Sequence, residues 1–176
     1  HSDQRSKQAY RLKFKSEFGQ AQLKYPLFET APNHADNAVE RFDRIVLRAS
    51  GGEAITRAGD QWTRDTQIAM GGLGSHGIFV HLYINGEYRG IYNPVERQDA
   101  RFTSAYLGGE FDDYFATNHG IERCTGDIPN SPCHLSGDNA RFARMMELAY
   151  EAKLEDPVKY AEFCTLCDVM QFCDYT

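Results

Sequence analysis

Residues 77–97, Gly77-Ile-Phe-Val-His-Leu-Tyr-Ile-Asn-Gly-Glu-Tyr-Arg-Gly-Ile-Tyr-Asn-Pro-Val-Glu-Arg97, constrain the fold more than any other stretch. Two runs rich in β-branched and aromatic residues flank Asn85-Gly86, the dipeptide best able to supply two positive φ angles in a type I′ turn, so the stretch predicts a β-hairpin. A two-residue loop sets the register: Ile84 opposite Glu87, Tyr83 opposite Tyr88, Leu82 opposite Arg89, His81 opposite Gly90, Val80 opposite Ile91 and Phe79 opposite Tyr92. One face is then aromatic, and the other carries Val80, Leu82, Ile84 and Ile91. With apolar groups on both faces, each is expected to be at least partly covered and the hairpin to lie centrally in its sheet. Pro94 has no N–H for a ladder and is expected to halt the second strand. Glu96, Arg97 and Asp99 follow where strand gives way to helix, a place where polar groups are candidates for a site.

The rest of the chain supplies partners for this hairpin. Ala9–Lys15 alternates, with Tyr10, Leu12 and Phe14 on one face and Arg11, Lys13 and Lys15 on the other, and Phe42–Ala49 reads as a second strand. Between Trp62 and Met70 the spacing of Trp62, Thr66, Ala69 and Met70 predicts an amphipathic helix with Asp60 as N-cap and Gly71-Gly72 as its stop. A short helix is expected from Ala100 to Leu107, a strand over 113–118, and helices over 139–153, after Asp156-Pro157, and from Asp168 to Tyr175. The expected class is α+β: an antiparallel sheet with a central hairpin over 77–93 and packed helices.

The 176 residues, 41% hydrophobic and 12% aromatic, suffice for a real core. A net charge of −6, with cations dispersed apart from the N-terminal strand, gives no footprint for nucleic acid or an anionic membrane, and no apolar run approaches the roughly 18 residues of a membrane span. Neither partner is expected. All five cysteines lie in the C-terminal third. Cys124 and Cys133-His134 with Cys164 and Cys167 are a possible ligand set for a structural Zn²⁺, but the wide first spacing argues against it. A Cys124–Cys133 disulfide fits an exported protein. Cys164, Cys167 and Cys173 read as small buried side chains on apolar helix positions.

The sequence contains no GxSxG, HExxH, Walker A or GxGxxG motif. His81 reads as a packed sheet residue in preference to a ligand or base. The cations of 9–15 have two readings: a solvated edge strand whose charges discourage aggregation, or a lysine presented to phosphate. A cationic strand, a helix, a hairpin and a polar strand exit together match the layout of a nucleotide kinase lobe.

The residues carry a closer likeness. His1-Ser2 with Lys7 and Tyr10-Arg-Leu-Lys-Phe14, Lys24-Tyr-Pro-Leu-Phe28, Phe42-Asp-x-Ile-Val-Leu-Arg48, Arg64-Asp65, the hairpin motif Gly77–Tyr92 with Glu96-Arg97, and Ser104-x-Tyr-x-Gly-Gly109 resemble the spore coat protein H (CotH) family of atypical protein kinases. The resemblance implies a single domain over 1–176, with a kinase-like N-lobe of sheet and helix over 1–96 and the helical start of a truncated C-lobe over 97–176. It implies transfer of the ATP γ-phosphate to Ser/Thr of a protein with Mg²⁺ or Mn²⁺. Lys13 and Asp65 would be the catalytic pair, and Arg11, Lys13, Arg64, Val95, Glu96 and Arg97 would border the nucleotide. The family also implies an exported, spore-coat or cell-surface location. His1-Ser2 resembles the tail of a glycine-bearing turn, and the chain stops before the Trp-Asp-x-Asp/Glu type segment with the metal-binding acid. Residues 1–176 are therefore expected to transfer little phosphate by themselves. The competing class is a non-catalytic carbohydrate- or protein-binding module of an exported protein.

Overall fold

The structure, a computed structural model, describes residues 7–31, 38–49, 58–117, 134–136, 140–150 and 154–175. It is α+β, and the chain divides into two compact units, His1–Arg97 and Gln98–Thr176.

The first unit is built on a four-stranded antiparallel sheet of β1 (Tyr10–Lys13), β4 (Arg44–Arg48), β5 (Val80–Ile84) and β6 (Glu87–Glu96), in the order β1-β4-β6-β5. A separate ribbon pairs β2 (Leu23–Lys24) with β3 (Arg41–Phe42). Asn85 and Gly86 adopt φ of 52° and 81°, so the two-residue turn forms as its sequence requires, with Tyr83 opposite Tyr88. Beyond that pair the register differs from the expected one. Arg89 is an extra residue in a bulge, Gly90 turns at φ 93°, and Leu82 pairs with Gly90, His81 with Ile91 and Val80 with Tyr92.

One added residue moves every later side chain of β6 to the other face. Tyr92, expected on the aromatic face, is buried over the core beside Val80 and Leu82, while Ile91 goes to the open face. The Tyr92 hydroxyl donates to the Gln8 carbonyl at 2.9 Å, and the Lys7 ammonium lies 4.2 Å from its ring centre and donates to the Ile91 carbonyl. His81 is exposed, its Nδ1 2.8 Å from the Tyr88 hydroxyl, so it is not the packed residue expected. Phe79, Tyr83 and Tyr88 are also exposed, and β5 is an edge strand. Only the second strand of the hairpin is central.

Pro94 does not halt β6, which continues to Glu96 with Pro94 opposite Leu47. The reason is local. The Pro94 carbonyl accepts from the Ile78 N–H at 3.2 Å, and the return bond that a proline cannot give to the Ile78 carbonyl comes from Asn93 Nδ2 at 2.9 Å. A side-chain amide stands in for the missing N–H. Asn93→Ala is expected to leave that carbonyl and the Arg64 guanidinium short of partners and to lower stability by about 1–3 kcal/mol in chemical denaturation. A change within a few tenths would show that solvent replaces the amide.

The core lies on the face carrying Tyr10, Ile45, Leu47 and Tyr92, against Phe28, Phe42, Ala31 and Ala49. Phe28 and Phe42 meet edge to face at 5.4 Å. Helix α1 (Gly59–Ala69) uses a different face from the expected one: Gln61 and Arg64 are buried, while Trp62 is 69% exposed. Asp60 does not cap the helix, because its carboxylate is held by Arg48 at 2.8 Å and Arg64 at 2.6 Å. Gly71 (φ 85°) ends it as expected. The chain then runs through buried Gly74-Ser75-His76-Gly77, where a Cβ on Gly77 would sit 2.1 Å from Gln61 Oε1 and 2.8 Å from Val95 Cγ1.

In the second unit α2 (Ala100–Leu107) is capped by Asp99, whose carboxylate accepts from the N–H of Arg101 and Phe102, and Gly108 (φ 82°) closes it. The strand expected over 113–118 reduces to β7 (Ala116–Thr117), paired with β8 (His134–Ser136). α3 (Ala140–Tyr150) buries Leu148. α4 (Pro157–Leu166) begins with the expected cap and N1 proline, Asp156 accepting from Val158 N at 2.9 Å, and α5 (Val169–Tyr175) follows. Arg144 of α3 reaches Glu162 of α4 through two hydrogen bonds of 2.8 and 2.9 Å. Cys124 and Cys133 lie outside the described residues. Among the described residues no helix is long and apolar enough to cross a membrane.

Candidate functional site

Strand register decides which candidates share a face. Arg11 opposes Val46 and Lys13 opposes Arg44, so these four lie on one side of the sheet with Arg48, Asn93 and Val95. That is also the side α1 grips, through Asp60–Arg48 and Arg64–Asn93. Arg11, Lys13, Arg64 and Asp65 thus belong to one face of the first unit. Glu96, one residue along from Val95, points to the other.

Arg64 is 8% exposed, and its guanidinium donates to Asp60 Oδ2 at 2.6 Å, to Gln61 Oε1 at 2.7 Å and to Asn93 Oδ1 at 2.7 Å. Asn93 Nδ2 also donates to Gln61 Oε1 at 2.9 Å. Three fixed acceptors engage the two terminal nitrogens of the fork while the buried Nε has no hydrogen-bond partner among the described residues, so Arg64 holds α1 against β6 through its terminal nitrogens. Asp65 accepts from Gln61 Nε2 at 2.7 Å, one turn back on its own helix.

Lys13 is exposed, and among the described residues its ammonium makes no hydrogen bond or ion pair. The contact with Asp65 that a buried lysine would require is therefore not formed. Geometry explains the difference: Lys13 opposes Arg44, four residues, or about 13 Å, along β4 from the Arg48 to which α1 is tied. An exposed cation needs no partner, because water solvates it. Lys13 and Lys15 border a cavity of about 210 Å³ with Phe18, Gln20 and Gln22. Lys15 is engaged by Glu17 at 2.6 Å.

Glu96 is 5% exposed and belongs to a buried pair that the sequence reading missed. Its Oε2 accepts from the His76 main-chain N–H at 2.8 Å and lies 2.9 Å from His76 Nδ1, with His76 itself 3% exposed and its ring 6.2 Å from that of Phe28. An ionised carboxylate only accepts, so Nδ1 carries the proton in this contact. The signal was Gly74-Ser75-His76-Gly77, two glycines that let backbone approach closely around a histidine. Arg97, at the end of the unit, is half-buried. Among the described residues no three His, Cys, Asp or Glu side chains converge where a metal ion could be held.

No curated protein and no solved structure matches the chain significantly. A family model does: that of the CotH kinase protein matches residues 1–175. With the match running the length of the chain, including the hairpin, the α1 pair Arg64-Asp65 and the strand exit, this protein belongs to the CotH kinase family.

Proposed function

We propose that this protein is a kinase-like phosphotransferase domain that carries the ATP γ-phosphate to Ser or Thr of a protein, with Mg²⁺ or Mn²⁺ neutralising the phosphates when bound. The observation that carries the reading is the family match over residues 1–175. In this proposal the His1–Arg97 unit is the N-lobe, with Lys13 as the phosphate-holding cation and Arg11 beside it. Two features support Lys13: it is an exposed, uncommitted ammonium on the face of the sheet that carries α1, and it borders a cavity with amide side chains. A compact ammonium on a flexible stem suits a phosphate as a point charge. Asp65 is assigned as the helix acid that meets Lys13 once nucleotide is bound, and Arg64 as the residue that fixes α1 in position for it. Val95 and Arg97 border the nucleotide at the strand exit, and Glu96 braces that exit from behind through His76.

ATP with Mg²⁺ is expected to raise the thermal midpoint in proportion to the logarithm of its concentration, by an amount corresponding to about 2.7 kcal/mol at a hundred times Kd. A shift with glycans and none with any nucleotide would replace this reading with that of a binding module.

A further inference from the structure

Three thiols lie at the α4–α5 corner, and they are not the buried apolar fillers the sequence predicts: Cys164 and Cys173 are exposed and Cys167 is half-buried. Cys164 is in the last turn of α4, and Cys167 is the residue that ends it, with its N–H still bonded to the Phe163 carbonyl at 2.9 Å but its backbone extended at φ −127° and ψ 128°. The Cα atoms of residues three apart in a helix are about 5 Å apart, inside the window of about 4.4–6.8 Å that a disulfide spans. Inside a helix the Cβ atoms of such a pair stand too far apart to bridge. Cys167 is out of the helix, so its Cβ is free of that restriction.

We propose that Cys164 and Cys167 form a dithiol modification site, oxidised to an intrahelical-end disulfide by a low-molecular-weight disulfide such as oxidised glutathione. Exposed Cys164 is the entry point. Its thiolate attacks one sulfur of the reagent, forming a mixed disulfide and releasing one thiolate. Cys167 then loses its proton to solvent and attacks the Cys164 sulfur, expelling the second thiolate. Two protein thiols and one disulfide reagent give one protein disulfide and two small thiols, with no other oxidant needed. Tyr160 stands one turn before Cys164, and the neighbouring thiol pushes its hydroxyl's pKa up. Burial, and next the neighbouring Asp168 and the other two sulfurs, push the Cys167 thiol up, so the second step quickens as pH rises.

The whole chain can be tested by incubation with oxidised glutathione, quenching, and digestion under non-reducing conditions with a protease that cleaves before aspartate. Cuts before Asp156 and Asp168 put Cys164 and Cys167 in one fragment and Cys173 in another. The expected product is a 156–167 fragment lighter by two hydrogens and not joined to the Cys173 fragment. It forms faster as pH is raised from neutral, it is unchanged by Cys173→Ser, and it is replaced by a stable glutathione adduct on Cys164 in Cys167→Ser. A cross-link from either cysteine to Cys173, a lasting adduct on Cys164 in the unmodified chain, or no reaction of this pair would overturn the proposal.

Discussion

Replacing Glu96 by alanine is expected to lower the stability of the first unit by about 3–5 kcal/mol, the scale for leaving two buried donors without their acceptor at about 1–3 kcal/mol each. The carboxylate accepts two hydrogen bonds from one residue, and both residues are nearly excluded from water. Removing it strands a buried N–H and a buried imidazole N–H together, in a segment where Gly77 leaves no room to rearrange. The thermal midpoint should fall by more than about 10 °C in a unit of this size. His76→Ala should cost a comparable amount, and the double variant less than the sum, because the two act on one interaction. Urea denaturation of the three variants checks this. Single losses below about 1 kcal/mol, or simple additivity, would mean that Glu96 and His76 merely lie near each other. The same variants separate stability from ligand contact, since Glu96 faces the core and away from Lys13. At a temperature where Glu96→Ala remains folded, its affinity for ATP should stay within about twofold of the parent, an effect of well under 1 kcal/mol.

The hairpin turn was legible because Asn-Gly is a local instruction: two positive φ angles are needed, and those residues supply them. The register four residues later was not, since alternation alone cannot show a bulge, and Arg89-Gly90 reads equally as two ordinary strand positions. Gly90 was the available clue, an isolated glycine in a strand. Pro94 misled for a related reason. The rule that proline ends a strand presumes that nothing else can donate to the orphaned carbonyl, and here the neighbouring Asn93 does. The face of α1 was misread because hydrophobic spacing was taken to mark burial. Its contact surface is instead Gln61 and Arg64, polar groups whose cost of burial is offset by Asp60, Asp65 and each other on the helix and by Asn93 on β6, which is distant in sequence. The cap and N1 proline at Asp156-Pro157 and the stop at Gly71 were legible, since each satisfies a local need, whereas Asp99 caps α2 although its sequence position marked it only as a polar group at a strand exit. Of the candidate site, the shared face of Arg11 and Lys13 followed from alternation, whereas the His76–Glu96 pair depends on two segments meeting side by side.

In a version of the protein that transfers phosphate, Lys13→Ala is expected to reduce phosphoryl transfer by about 10²–10³-fold, the loss measured when one preorganised positive or hydrogen-bonding group is removed from developing charge. Fold stability should change by no more than about 1 kcal/mol, because the side chain is exposed and no ion pair is broken. The neighbours set the comparison. Lys15 already holds Glu17 at 2.6 Å, so Lys15→Ala removes a cation that is largely neutralised and should matter little. Arg11 lies on the same face as Lys13 but opposite Val46, two residues from it along β1, and is the rival phosphate ligand. A bidentate Arg contact would survive poorly in Arg11→Lys, whereas a point-charge role for Lys13 would be partly kept in Lys13→Arg. ATP affinity and labelled phosphate transfer in Lys13→Ala, Lys13→Arg, Arg11→Ala and Lys15→Ala decide between them. A dominant loss at Lys13 supports the proposed role, a dominant loss at Arg11 moves the phosphate two residues up the strand, and equal small losses at all three positions would make β1 a charged edge that keeps the sheet soluble.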